Sequence, residues 1–159
     1  LQATFPDGEL LETPNNQFLA FAVPAAAERV KLAQAATVSW AGEIGLVGWS
    51  AEVDGEQLNI WLAWQAEQTP RLNYTAFVHV LAEDGRIITQ QDKPPTGYPT
   101  GEWRSGEIVV EQFIVPFPAT ELQEGEMLTI QTGFYDLTTL TRLGEPFVLI
   151  PDLHLFVTR

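Results

Sequence analysis

The chain has 159 residues, no cysteine, and 21 acidic against 8 basic side chains, for a formal net charge of -13. A single domain of this length hides roughly 68–70% of its unfolded surface, so stability needs neither a disulfide nor a metal staple. The charge balance all but excludes nucleic acid and disfavours an anionic membrane surface, both of which need clustered Lys and Arg; the missing cysteine removes thiolate chemistry and Cys-containing zinc sites.

Residues 1–16 carry Pro6, Gly8, Pro14 and Asn15-Asn16 and read as an irregular lead-in or linker remnant, which leaves 17–159 as one domain. The chain starts at Leu1 rather than Met, as a processed or excised piece of a longer protein would. Asp7, Glu9 and Glu12 stand where a signal peptide would have a basic segment. The longest apolar stretch, Phe18 to Ala27, is ten residues and contains Pro24. A spanning helix needs roughly 20, so no direct membrane insertion by this segment is expected.

Phe18–Val23 reads as an edge strand. Ala25–Ala36 is rich in helix formers and reads either as one short helix or as a connection. Two Asp-Gly dipeptides then set a hairpin register. Asp54-Gly55 separates Val47–Val53 from Leu58–Trp64, and Asp84-Gly85 separates Tyr74–Leu81 from Ile87–Gln91. Val47, Trp49, Ala51 and Val53 share one face by alternation. Leu58, Ile60, Leu62 and Trp64 form the next, opposed by Asn59, Trp61, Ala63 and Gln65. Ile108–Val115 and Met127–Tyr135 are further strands, the first ended by Pro116, and Phe147–Ile150 and Leu153–Val157 close the chain on either side of Pro151-Asp152. About nine short strands at turn spacing, with at most one short helix, predict an all-β fold: a two-sheet antiparallel β-sandwich, jelly-roll or immunoglobulin-like.

Catalytic residue types are few. His79 and His154 are the only histidines, and neither stands in a metal-binding motif. His79 lies mid-strand with Phe77 and Leu81 as its same-face neighbours, which reads as a hydrogen-bonded, half-buried side chain before it reads as a base. None of Ser39, Ser50 and Ser105 sits in a G-x-S-x-G elbow, and no phosphate-cradling glycine loop is present. No cofactor and no metal site follows from any of this. Carboxylates are abundant, but a glycosidase needs two of them at a defined separation in a cleft.

The most unusual stretch is Asp92 to Glu107, DKPPTGYPTGEWRSGE. Tyr98, Trp103 and Arg104 in a rigid, proline-rich loop suit a sugar-stacking and hydrogen-bonding site. The structural alternative is that Tyr98 and Trp103 cap one end of the sandwich while Arg104 pairs with a carboxylate. Trp61, pointing away from the Leu58–Trp64 face, is the other aromatic candidate. The candidate ligand-binding residues are therefore Tyr98, Trp103, Arg104, Trp61 and His79.

Several blocks occur in a familiar order between Glu43 and Leu143. Glu43-Ile44-Gly45-Leu46-Val47-Gly48-Trp49 is followed by Leu58-Asn59-Ile60-Trp61-Leu62-Ala63-Trp64-Gln65-Ala66. Tyr74-Thr75-Ala76-Phe77-Val78-His79-Val80-Leu81 comes next, then Asp84-Gly85 and Gln90-Gln91-Asp92. Pro95, Gly97-Tyr98-Pro99-Thr100, Trp103 and Gly106-Glu107 follow, and Gly133-Phe134-Tyr135-Asp136 with Arg142-Leu143 closes the series. The series resembles the C-terminal extracytoplasmic β-sandwich module that follows the multi-helix membrane part of bacterial glycosyltransferase-like proteins using lipid-linked sugars. Ser105 stands where that pattern has proline, Gly101 where it has serine, and Leu140-Thr141 where it has Thr-Gly.

The resemblance implies a β-sandwich outside the cytoplasm, on the periplasmic or cell-surface side, tethered through its parent protein, with the membrane part of that chain as partner. It brings no catalytic group. The leading expectation is a non-catalytic accessory domain contacting glycan or protein. An independent carbohydrate-binding module is the alternative, and a glycan-active enzyme using paired carboxylates the less favoured third.

Overall fold

The computed structural model describes residues 10–12, 18–20, 34–117 and 127–154. Strands β1 (Leu10–Glu12) and β2 (Phe18–Ala20) pair with each other as a small separate ladder. The remaining strands are β3 (Gln34–Trp40), β4 (Ile44–Asp54), β5 (Gln57–Ala66), β6 (Tyr74–Ala82), β7 (Ile87–Lys93), β8 (Ile108–Pro116), β9 (Met127–Asp136), β10 (Thr141–Arg142) and β11 (Phe147–His154). They form two antiparallel sheets. The first has the order β3-β4-β5-β8; the second runs β7-β6-β9, with β10 and β11 both paired to the far side of β9.

Alternation explains why these sheets stack. Leu58, Ile60, Leu62 and Trp64 of β5 are buried, and so are Tyr74, Ala76, Val78 and Val80 of β6 and Leu128, Ile130 and Phe134 of β9. These two inner faces join in one apolar cluster with Phe113 and Val115 of β8, as two half-apolar sheets must to escape water. Trp64 and Phe134, from opposite sheets, meet edge-to-face with ring centroids 5.0 Å apart. The all-β sandwich expected from the sequence is the fold observed.

Both Asp-Gly dipeptides are hairpin turns. Asp54 pairs with Gln57 across the first, where Gly55 takes the left-handed φ of +59° that such a turn requires. At the second, Gly85 donates its N–H to Ala82 O at 2.9 Å.

The structure departs from the sequence reading in three places. Leu46 pairs with Trp64 but Gly48 with Ala63, so Val47 is the extra residue of a β-bulge. Leu46 therefore faces inward, followed by Trp49 and Ala51, and Val47 does not share their face. Gln34–Trp40, whose first three residues were read as helix or connection, is strand β3 against β4; the rest of the Ala25–Ala36 segment lies outside the described residues. The predicted break at Pro151-Asp152 is absorbed within one strand, β11, whose register against β9 shifts after Val148 and again after Ile150. Such slips let proline stay in a ladder to which it cannot donate. The predicted edge strand Phe18–Val23 is present as far as Ala20, and residues 21–23 lie outside the described ones.

Candidate functional site

The loop from Pro94 to Glu107 is built as a clasp over one end of the sandwich. It contains two single-turn 3-10 segments, Pro95–Gly97 and Thr100–Glu102. The Thr100 hydroxyl accepts the Tyr74 N–H at 2.8 Å and donates to Leu72 O at 2.8 Å, so one side chain completes the open start of β6. Asn73 Oδ1 accepts the Gly101 N–H at 3.0 Å. These bonds drive Trp103 inward. Its ring is 0% exposed, stacks on Trp64 at 6.4 Å, and donates its indole N–H to Tyr98 O at 3.2 Å.

Tyr98 and Arg104 finish the same clasp. Tyr98 is half-buried; its hydroxyl donates to Glu102 O at 2.9 Å and stands 3.3 Å from Glu107 Oε2. Desolvation first, and the Glu107 charge second, push its phenol up from the ordinary value. The backbone N–H of Arg104, rather than its guanidinium, bonds Glu107 Oε2 at 2.8 Å, and the residue is exposed. Ser105 is a turn serine whose hydroxyl donates to Glu67 O at 3.1 Å. Trp103 thus offers no face to a ligand: it fills the core edge, the role weighed against stacking from the sequence.

A buried carboxylate anchors the neighbouring turn. Glu43 ends the β3–β4 connection, where Ala41 takes a left-handed φ of +54°, and its side chain is 0% exposed. Arg71 supplies its backbone N–H at 2.9 Å and its Nε at 2.7 Å, and the Tyr74 hydroxyl adds a bond at 3.2 Å. Burial by itself would raise this carboxyl; the Arg71 and Tyr74 donors together outweigh burial and hold it below the usual carboxylate range.

On the opposite edge, Lys93 of β7 reaches β8. Its Nζ donates to Glu111 Oε1 and to Gln112 O, each at 2.6 Å, while the Thr96 N–H donates to the other oxygen of Glu111. Gln91 Oε1 accepts the Ile114 N–H at 3.1 Å. Side chains of one sheet thereby satisfy the backbone edge of the other, which closes an edge open to strand addition. Among the described residues the two buried carboxylates, Glu43 and Glu111, are both engaged in such pins.

His79 lies elsewhere, on the solvent-side face of the second sheet. Its Nε2 is 3.2 Å from Asp92 Oδ1, and the same carboxylate acts on the Tyr135 phenol. Burial, and after it the Asp92 bond and charge, push the Tyr135 phenol up. Between them lies Phe77, only 1% exposed although it is on the outer face. Its ring is 4.5 Å from the His79 ring, 6.3 Å from Tyr135 and 5.4 Å from the Arg142 guanidinium carbon. Gly133, directly across the ladder, makes room for that ring, since a Cβ there would stand 2.9 Å from Phe77 Cζ.

Trp61 occupies the outer face of the first sheet, in register with Ser50 and Gln112 and half-buried. Gln112 Nε2 donates to Asn59 Oδ1 at 3.3 Å beside it. The five candidates therefore fall in three places. Tyr98, Trp103 and Arg104 share the clasp, Trp61 lies on one outer face, and His79 on the other. Asp92, Tyr135, Phe77 and Arg142 were not singled out from the sequence; counted from the Leu81–Ile87 pair beside the Asp84-Gly85 turn, Thr89 would face His79, and it is a one-residue slip between the Leu81–Ile87 and Val80–Thr89 pairs that puts Gln90 opposite His79 and so Asp92 diagonal to it. Among the described residues no group of three or more His, Asp or Glu is arranged to hold a metal ion.

No family model matches the chain, and no curated protein matches it. Among solved structures it is similar to one described as a beta-glucuronidase from glycoside hydrolase family 2, with 14% identity and a TM-score of 0.45 over 67% of this chain. The chain spans 10% of that protein's length. The class its own geometry defines is an antiparallel β-sandwich with an aromatic clasp.

Proposed function

We propose that this chain is a non-catalytic accessory β-sandwich held outside the cytoplasm, tethered to the membrane part of a glycosyltransferase-like parent protein, and offering that assembly a contact surface for glycan or protein. One observation carries the reading: blocks that are separate in sequence, and on which the resemblance rests, meet in space. Trp64, Tyr74, Thr100, Trp103 and Phe134 come from four such blocks and lock one another through ring contacts and the Thr100–Tyr74 bond. The Tyr-Pro-Thr and Trp of the loop are then one architectural unit with β5, β6 and β9, as a module with a fixed frame requires. The net charge of -13 suits a domain kept in solvent beside a negatively charged membrane.

The test is the reading frame upstream of Leu1. It is expected to encode several apolar spans of roughly 20 residues. A complete frame without any would sink the tethered reading. The alternative, an independent carbohydrate-binding module, is favoured by Trp61, a half-buried aromatic side chain set among Ser50, Asn59 and Gln112 on the outer face of the first sheet. A frame without spans, together with saccharide binding lost in Trp61→Ala, would select it.

A further inference from the structure

We infer that the outer face of the second sheet, centred on His79, Asp92, Tyr135 and Arg142 above Phe77, is a binding site for a neutral saccharide. The inference deepens the glycan-contact reading above and rests on it. Its starting point is a physical oddity. Core burial is supplied by the inner face, yet the outer face also hides a complete phenyl ring, packed against the His79 and Tyr135 rings and the Arg142 guanidinium.

The arrangement has the parts that sugar recognition needs. The half-buried phenol of Tyr135 and imidazole of His79 supply carbon surface, which the C–H faces of a pyranose can cover, and Phe77, buried against both, holds them in place. Asp92 faces His79 Nε2 at 3.2 Å and acts on the Tyr135 phenol as well, so the polar atoms are held in place before a ligand arrives. Capacity remains after those bonds. The carboxylate has about four acceptor positions, the imidazole a second nitrogen, and the guanidinium five N–H donors. Gln90 and Gln131 stand in register on either side of His79 and add amides, each both donor and acceptor. A sugar hydroxyl, itself donor and acceptor, matches such a mixed set.

Charge selects the neutral class. Asp92 lies at the centre of the cluster, Arg142 is its one permanent cation, and the chain as a whole carries -13. An anionic sugar would have to approach that carboxylate against the overall field. The four strands β7, β6, β9 and β10 each contribute, so the floor is as rigid as the sheet.

The experiment titrates the 159-residue chain with mannobiose, cellobiose, chitobiose and maltose, and with glucuronic acid as a charged control, following backbone amide shifts by NMR. The expected result is saturable shifts at residues 77–79, 90–92, 131–135 and 142 with at least one neutral disaccharide. Asp92→Asn and Tyr135→Phe, each checked for an unchanged fold by the shifts of remote amides, are expected to weaken it at least tenfold. No saturable binding to any disaccharide overturns the inference. So does binding that survives both substitutions, binding that maps to Trp61 instead, or preference for the uronate. The upstream reading frame is untouched by these outcomes, so failure here and failure of the tethered reading are told apart.

Discussion

The indole of Trp103 lies on that of Trp64 with ring centroids 6.4 Å apart and planes 26° from parallel, joining a loop to the central strand of the first sheet. Both rings also meet Phe134 of the second sheet edge-on, at 6.5 Å and 5.0 Å. Three aromatic side chains thus tie the loop and both layers together. Replacing Trp103 by Ala removes the wedge while the surrounding strands can collapse only in part, so unfolding free energy should fall by about 3–5 kcal/mol in urea titration. A loss under ~1 kcal/mol would mean that the loop is not part of the core.

Thr100 does with two hydrogen bonds what the aromatic wedge does with area. Thr100→Val keeps the shape but leaves the buried Tyr74 N–H without its acceptor. The expected loss is about 1–3 kcal/mol, the usual penalty for an orphaned buried donor. Thr100→Ser, which keeps the hydroxyl, should recover most of it in the same denaturation assay.

Glu43 sets the acid limb of stability. Its folded carboxyl titrates below the ordinary value, so the unfolded chain binds a proton more readily than the folded one as pH falls. Its contribution is fully present above the unfolded value of about 4.3 and is lost as pH drops through the lower folded value. Asp136, lowered by the Thr138 N–H and the Thr139 hydroxyl, acts in the same direction. Glu43→Gln should therefore lower stability at pH 7 and flatten the decline of melting temperature below pH 5. An unchanged acid slope would show that Asp136 and other carboxylates carry it. The tyrosines have the opposite sign: Tyr74, Tyr98 and Tyr135 are raised, so what they contribute is present at neutral pH and lost as pH climbs through their folded values above about 10.

Gly133 is where the outer-face cluster depends on a missing side chain. A Cβ there would meet Phe77 Cζ at 2.9 Å and Cε1 at 3.0 Å. Gly133→Ala must lift the ring toward His79 and Arg142, and should cost about 1–3 kcal/mol as overpacking does. Phe77→Leu in the same chain, by opening that space, is expected to reduce the loss. Additive losses in this double-mutant cycle would show that the two positions do not press on each other.

Much of this frame was legible in the residues. Period-two alternation in Leu58–Trp64 and the two Asp-Gly turns were enough to place β4 to β7, because side-chain faces and turn chemistry are local properties. Val47 was misplaced because a bulge depends on what the partner strand does, and nothing in the Val47–Val53 alternation announces it. Gln34–Trp40 was hidden by helix-forming alanines whose propensity is overridden by pairing with β4. The site residues divide in the same way. Trp103 read as a plug for the core edge ahead of a ligand platform, and its fit against Trp64 settles it as the plug. Asp92 and His79 are separated by a hairpin, Tyr135 by most of a sheet, so their convergence is a matter of register between strands and not of any short motif.

The most direct test of the central claim, that the Pro94–Glu107 loop is a structural clasp, is native-state hydrogen exchange at three positions. The Trp103 indole N–H, the Trp103 backbone N–H and the Tyr74 backbone N–H are bonded to Tyr98 O, Thr100 O and Thr100 Oγ1 respectively. If the loop is locked into the sandwich, all three should open only with the global free energy of unfolding, alongside the amides of β5 and β6. Exchange at the rate of an unprotected amide would show a loop that opens on its own, and would contradict the clasp.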